Sequence, residues 1–252
     1  MLILLPPSET KRAGGEGPAW AAEALGFPEL GAAREATLDA LVALSRDPDE
    51  AARVLKLSSR QLGEVAANAA LRTAPTMPAV DRYTGVLFDA LDASTLPAAA
   101  RRWLGAHVAI HSAPFGPVRA LDPIPAYRLA AGTRLPGLPT PRRMWADAAG
   151  SAIAASSPSF VLDLRSEAYV GLGPVPSAVP HAYVRVVTES DGGAVRALNH
   201  FNKHAKGDLV RRLALSRPRV SGLAALLRWA AADGVDLRPT AAGELQLVVP
   251  AT

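Results

Sequence analysis

The chain has 252 residues, is 49% hydrophobic and 20% charged, and carries a formal net charge of +4 with no cysteine. That is the composition of a globular protein with a sizeable core, not of a disordered chain. It excludes a disulfide framework, a thiolate nucleophile and a Cys-built zinc or iron–sulfur site, and no apolar run approaches the roughly 20 residues of a membrane helix.

The opening Leu2–Leu5 is a short apolar run with Pro6-Pro7 directly behind it and no basic residues before it. It reads as a buried strand entering a loop, not as a secretory signal, which points to a cytoplasmic protein. Residues 6–17 form a polar, Gly-rich loop. Leu38, Leu41, Val42 and Leu44 recur at helical spacing. Asp47-Pro48-Asp49-Glu50 is a strong helix start, with a capping Asp, Pro at the first helical position and acids in the first turn. Ser58 or Ser59 can cap a further helix through Leu62 and Val65, so 32–72 reads as a helical insertion.

Asp81–Gly85 leads into a short apolar helix, Val86–Leu91, and Pro97–Gly105 reads as another. His107–His111 reads as a strand, followed by an unusually Pro-rich ordered loop to Leu129. Prolines lower the entropy cost of fixing such a loop, and long ordered loops carry function. Pro141–Ala155 is helical, Phe160–Leu164 a strand, and Ser166-Glu167-Ala168-Tyr169 can cap a helical turn. Ala182–Val187, the turn Ser190–Gly193 and Ala194–Leu198 give a hairpin signal. Phe201–Leu215 is a basic helix, a second follows Pro218, and Glu244–Val249 is a last strand. The expected class is mixed α/β, one domain over 1–252.

The charge is distributed unevenly. Residues 1–100 carry 9 Lys/Arg against 13 Asp/Glu, and 101–252 carry 18 against 10. The densest basic stretch holds Arg196, Lys203, Lys206, Arg211, Arg212, Arg217 and Arg219 against the lone acid Asp208. It suits a polyanion or a solvated helix face. Lysine is rare: Lys11, Lys56, Lys203 and Lys206 stand against 23 arginines. A lysine kept against that bias can serve as a compact point charge, or as an amine that burial turns into a base or imine-forming nucleophile.

Several residues can carry chemistry. Glu9 and Lys11 follow a strand end and, two apart, point the same way, so Glu9 can act as acid or base beside an anion-binding Lys11. Lys203 and Lys206, three apart near a helix start, share a face that can hold phosphate. Arg128 can make a bidentate contact to an anion. Tyr83, Gly85 and Tyr127 suggest a tight turn with phenols beside it, and Ser8, Trp145, Ser166, Glu167 and Tyr169 complete the candidate ligand contacts. His200, His204 and Asp208 have metal-ligand spacing, but the neighbouring lysines would repel a cation, and no metal is expected. There is no Walker loop, dinucleotide fingerprint or Gly-x-Ser-x-Gly, and no cofactor is expected.

Taken in order, MLILLPPSETK, DRYTG at 81–85, HSAPFGPVRALDPIPAYRLAAG at 111–132, MWADA at 144–148, LDLRSEAYV at 162–170 and HFNKHAKGDLVRRLA at 200–214 resemble the YaaA family of bacterial peroxide stress proteins. The departures are Phe115 where the family often has Tyr, and a Pro6–Lys11 opening that displaces the lysine by two residues from the Ser-Pro-Ala-Lys-Thr of some members. The resemblance implies a cytosolic protein of the hydrogen peroxide response, a fold peculiar to the family, and DNA binding in a basic cleft through a helix-hairpin-helix-like element. Its candidates here are the helices around Lys56–Arg72 and the pair joined by Ser216-Arg217-Pro218-Arg219. On that reading Lys203, Lys206, Arg211, Arg212, Arg217 and Arg219 contact DNA. The alternative is an enzyme using lysine or acid/base chemistry from Glu9, Lys11 and Lys203 on a small anionic or nucleotide-like ligand.

Overall fold

In the computed structural model, which describes residues 1–189, 195–196, 199–241 and 243–250, β1 (Leu2–Leu5) is an interior strand of a mixed sheet with all four residues buried. It pairs in parallel with β4 (Val108–Ser112) on one side and β7 (Val161–Asp163) on the other. β7 pairs in parallel with β8 (His181–Glu189), and β8 with β11 (Leu245–Pro250). A parallel sheet covered on both faces demands unbroken apolar strands, which is why LILL, HVAI and FVLDL read as runs and not as alternations. β5 (Gly116–Arg119) and β10 (Leu237–Pro239) pair antiparallel at the two edges, and β9 (Val195–Arg196) pairs with β8. Along the sheet the order is β10-β11-β8-β7-β1-β4-β5.

The link from β1 to β4 is long and mostly helical. It contains α1 (Gly31–Leu44), α2 (Pro48–Leu55), α3 (Gly63–Ala69), α4 (Ala79–Arg82), α5 (Val86–Leu91) and α6 (Ala98–His107). The expected start of α2 is present: Asp47 accepts from the backbone N–H of Asp49 and Glu50, at 3.1 Å each. Lys56 ends that helix in the left-handed region, at φ 54°. In the same link β2 (Gly17–Ala19) pairs with β3 (Pro75–Pro78), which pairs with β6 (Pro123–Ile124), making a small antiparallel sheet.

One element departs from the sequence reading. The Pro-rich segment is not all loop: β4 turns through three residues into β5, with Gly116 at φ +62°. A three-residue hairpin needs such a left-handed residue, and Pro117 is tolerated because β5 is an edge strand. The hairpin at β8 and β9 is antiparallel as expected, although its turn and Ala194, Ala197 and Leu198 lie outside the described residues. After α7 (Pro141–Ala155) and α8 (Glu167–Val170), α9 (Asn199–Ser216) packs on α5, and α10 (Leu223–Ala232) follows. Gly207 permits that close approach, since a Cβ there would meet the Leu87 carbonyl. No helix is long and apolar enough to cross a membrane among the described residues.

Candidate functional site

Parallel strands point their carboxyl ends the same way. Where successive connections leave a strand in opposite directions, a crevice forms beyond those ends. Here β1 sits between β4 and β7, and the segments after Leu5, Ser112 and Asp163 carry the candidate residues.

The first half of the site is built on the loop after β1. Residues 10–12 zip onto 82–84: the Thr84 N–H donates to the Thr10 carbonyl (3.1 Å) and the Arg12 N–H to that of Arg82 (2.8 Å). Arg82 is fully buried and donates to the carbonyls of Arg12, Pro75 and Ile124, locking three segments together. Gly85, at φ +94°, leaves room for Ser8 and Thr10 beside it. In this frame the Lys11 ammonium donates to the carbonyls of Ser8 (3.0 Å) and Glu9 (3.3 Å) and lies 4.1 Å from the Tyr127 ring centre and 5.6 Å from that of Tyr83. Desolvation against these rings pushes the Lys11 amine down to about 8; Glu9 opposes the shift and Arg128 adds to it.

Behind Lys11 the hydroxyls of Tyr83 and Tyr127 share a 2.8 Å hydrogen bond, and Ser112 at the end of β4 donates to Tyr127 at 3.1 Å. Burial holds both phenols above their ordinary range. Arg128 pairs with Glu9 (2.9 Å) and more loosely with Glu64 (3.6 Å). Its backbone N–H donates to buried Asn68 (2.7 Å), whose amide donates back to the Arg128 carbonyl (2.9 Å). The helical insertion therefore positions Arg128: Asn68 and Glu64 both belong to α3.

The second half is built on β7. Arg165 is fully buried and grips Asp163 with both prongs, at 2.9 and 2.6 Å. It also donates to the Gly173 carbonyl (2.8 Å) and to His111 Nδ1 (2.9 Å). An arginine has no acceptor, so Nδ1 accepts and the His111 proton sits on Nε2. That atom is buried without a partner among the described residues. Burial, with Arg165 adding to it, pushes His111 well below its ordinary range, so the ring is neutral. Tyr169 joins the halves: its ring lies 5.9 Å from His111, and burial holds its phenol above the ordinary range, with Tyr127 and Glu9 adding to the shift and Arg128 opposing it.

Ser8, Glu9, Lys11, Tyr83, Gly85, Tyr127, Arg128 and Tyr169 thus come together. Ser166 and Glu167 are exposed, and Glu167 pairs with Arg185 (3.2 Å). Trp145 lies elsewhere, buried against Gly116 in the core. Lys203 and Lys206 part company despite their spacing. Lys206 falls on the buried stripe with Leu209, Val210 and Leu213, at i, i+3, i+4 and i+7, and is 4% exposed, while Lys203 is exposed. Lys206 therefore does not belong to a solvent-facing basic surface, contrary to its expected place as a DNA contact, and it lies 5.4 Å from the Tyr183 ring centre. Arg211 ties α9 to the end of α5, donating to the carbonyls of Leu91 (3.0 Å) and Asp92 (2.9 Å). Arg212 pairs with Asp208 (2.9 Å) and Asp233 (3.5 Å). Arg217 and Arg219 are exposed in the link to α10. His204 is exposed, the His200 side chain lies outside the described residues, and no three metal-type ligands cluster among the described residues.

The residues missed in the sequence are Asn68, Ser112, His111, Asp163, Arg165 and Tyr183. Arg165 sat inside the LDLRSE segment, and its signal was an Asp-x-Arg at the end of an apolar strand.

A family model described as peroxide stress protein YaaA matches residues 1–234. Among curated proteins, the chain is 50% identical over 221 residues to a UPF0246 protein of Corynebacterium efficiens, covering 86% of each. It is 45% identical over 255 residues to one of Corynebacterium glutamicum, covering 99% of this chain and 100% of that one. A UPF0246 protein of Streptomyces coelicolor is 42% identical over 229 residues, covering 90% and 88%.

Proposed function

This chain belongs to the family of the peroxide stress protein YaaA, and on that footing we propose that it serves the hydrogen peroxide response by holding a small anionic, nucleotide-like ligand at the carboxyl edge of its sheet. The observation that carries the reading is the gathering of Lys11, Arg128 and Glu9 over the Tyr83–Tyr127 pair. In it Arg128, 14% exposed, turns from Glu9 to grip the ligand's anionic group. Glu9, freed, accepts from sugar hydroxyls, and Tyr169 forms a wall. The protein acts as a one-domain cytoplasmic molecule. Thermal unfolding with a panel of nucleoside mono-, di- and triphosphates tests this: at least one raises the melting temperature, and Arg128→Ala loses the gain. A panel without effect removes the reading.

DNA binding is the second reading, favoured by exposed Lys203, Arg217 and Arg219 on α9 and the link behind it. Backbone contacts of this kind release counterions, so log affinity falls with log salt by about 0.9 per phosphate neutralised. A labelled duplex titrated across salt gives that slope. Charge reversal at Arg217 and Arg219 reduces it if this face binds, and leaves it unchanged if it does not.

A further inference from the structure

We propose that Lys206 is an imine-forming amine, which condenses with the carbonyl carbon of a small anionic aldehyde bound beside the carboxyl end of β7, next to Tyr183 of β8. The inference takes the ligand's negative charge from the reading above; the assignment of the amine stands on the following geometry.

Lys206 occupies a core-stripe position of α9, where a leucine or methionine would be the stable choice. Buried lysines normally find a carboxylate or a set of carbonyls. Lys206 has neither: among the described residues its ammonium makes no hydrogen bond or ion pair, and its one close partner is the face of Tyr183. The acid that acts on it, Asp163, is already held by both prongs of Arg165. Unlike the sealed polar atoms of Trp20, Arg34, His111 and Asn202, the Lys206 nitrogen still touches space that water can enter. Lys11 is the contrast, because two carbonyls and a ring engage its ammonium. Burial pushes Lys206 down to about 8, with Asp163 opposing and Arg185 adding to the shift. At neutral pH roughly a tenth of it is then the free base, against well under a thousandth for an ordinary lysine.

The step balances without a further reagent. The free amine's lone pair attacks the carbonyl carbon and forms a C–N bond, and the C=O π pair moves to oxygen, which takes up the proton that the new ammonium nitrogen gives up. The carbinolamine then loses that oxygen as water, using one more proton from solvent, and leaves a protonated C=N bond. No oxidation state changes.

The test is reductive trapping on the full chain at pH 7.5. Ribose 5-phosphate serves as the anionic aldehyde, glycolaldehyde as the uncharged one, and cyanoborohydride reduces any imine formed. Peptide mass spectrometry then follows each of the four lysines. With ribose 5-phosphate, Lys206 is expected to be modified at least tenfold faster than Lys203 three residues away or exposed Lys56, and Lys206→Met leaves no fast site. Modification of Lys206 no faster than Lys203, or a fast site at Lys11 instead, overturns the proposal. Fast trapping of Lys206 by glycolaldehyde alone upholds the amine and counts against the anionic-ligand reading. Nucleotide stabilisation with Lys206 unreactive to both aldehydes upholds that reading and overturns this inference.

Discussion

Replacing Lys206 with Met should stabilise the protein, by an amount that depends on pH. Met keeps the stem's volume and completes the stripe formed by Leu209, Val210 and Leu213. The amine titrates near 10.5 in the unfolded chain and near 8 when folded. Between those values the unfolded state binds the extra proton, so the charged lysine's cost is felt in full below pH 8 and fades as pH rises toward 10.5. At about 1.4 kcal/mol per pH unit, that cost is on the order of 3 kcal/mol. For a chain of this length it corresponds to roughly 6 °C in melting temperature. The assay is calorimetric unfolding of wild type and Lys206→Met at pH 7 and pH 9.5. The variant should melt higher at pH 7, with the gap falling to about half at pH 9.5. Equal melting temperatures at pH 7, or a gap that does not narrow, would refute the reasoning.

Three further perturbations follow from the geometry. Arg165→Ala leaves Asp163 buried without its partner and should cost about 3–5 kcal/mol in urea unfolding; a loss below about 1 kcal/mol would show that Asp163 is compensated elsewhere. Gly207→Ala drives a Cβ into the Leu87 carbonyl and should cost about 1–3 kcal/mol by the same measurement, whereas Gly132→Ala, with nothing within 4 Å, should change little. Asp47→Ala removes the two bonds that cap α2 and should cost about 1 kcal/mol, while Asp47→Asn should restore most of it.

Much of this architecture was legible because its elements are locally determined. The apolar runs at 2–5 and 161–163 needed only hydrophobicity, and α2 needed only Asp47-Pro48. The edge strand β5 and the small sheet β2-β3-β6 were not legible, since Gly and Pro populate them and their pairing is long-range. The site divides in the same way. Glu9, Lys11, Tyr83 and Arg128 stood out as chemistry-bearing residues near turns or strand ends. Asn68 did not, because its partner is the backbone of residue 128, 60 positions away. Lys206 was misplaced because charge outweighed periodicity: counting i, i+3, i+4 and i+7 from Lys206 through Leu213 would have set it on the buried face. Trp145 fills the core over Gly116 and also lines a small pocket with Ala113, Leu129 and Met144.

The most direct test is calorimetric titration of the full chain with the most stabilising nucleotide of the panel, in wild type and in Arg128→Ala. A saturable one-site heat is expected, weakened at least tenfold in the variant, since a charge-assisted bond to an anion is worth about 1.5–3 kcal/mol. Equal affinity in both proteins, with binding lost instead on charge reversal at Arg217 and Arg219, would contradict the carboxyl-edge site and place anion recognition on the α9–α10 face.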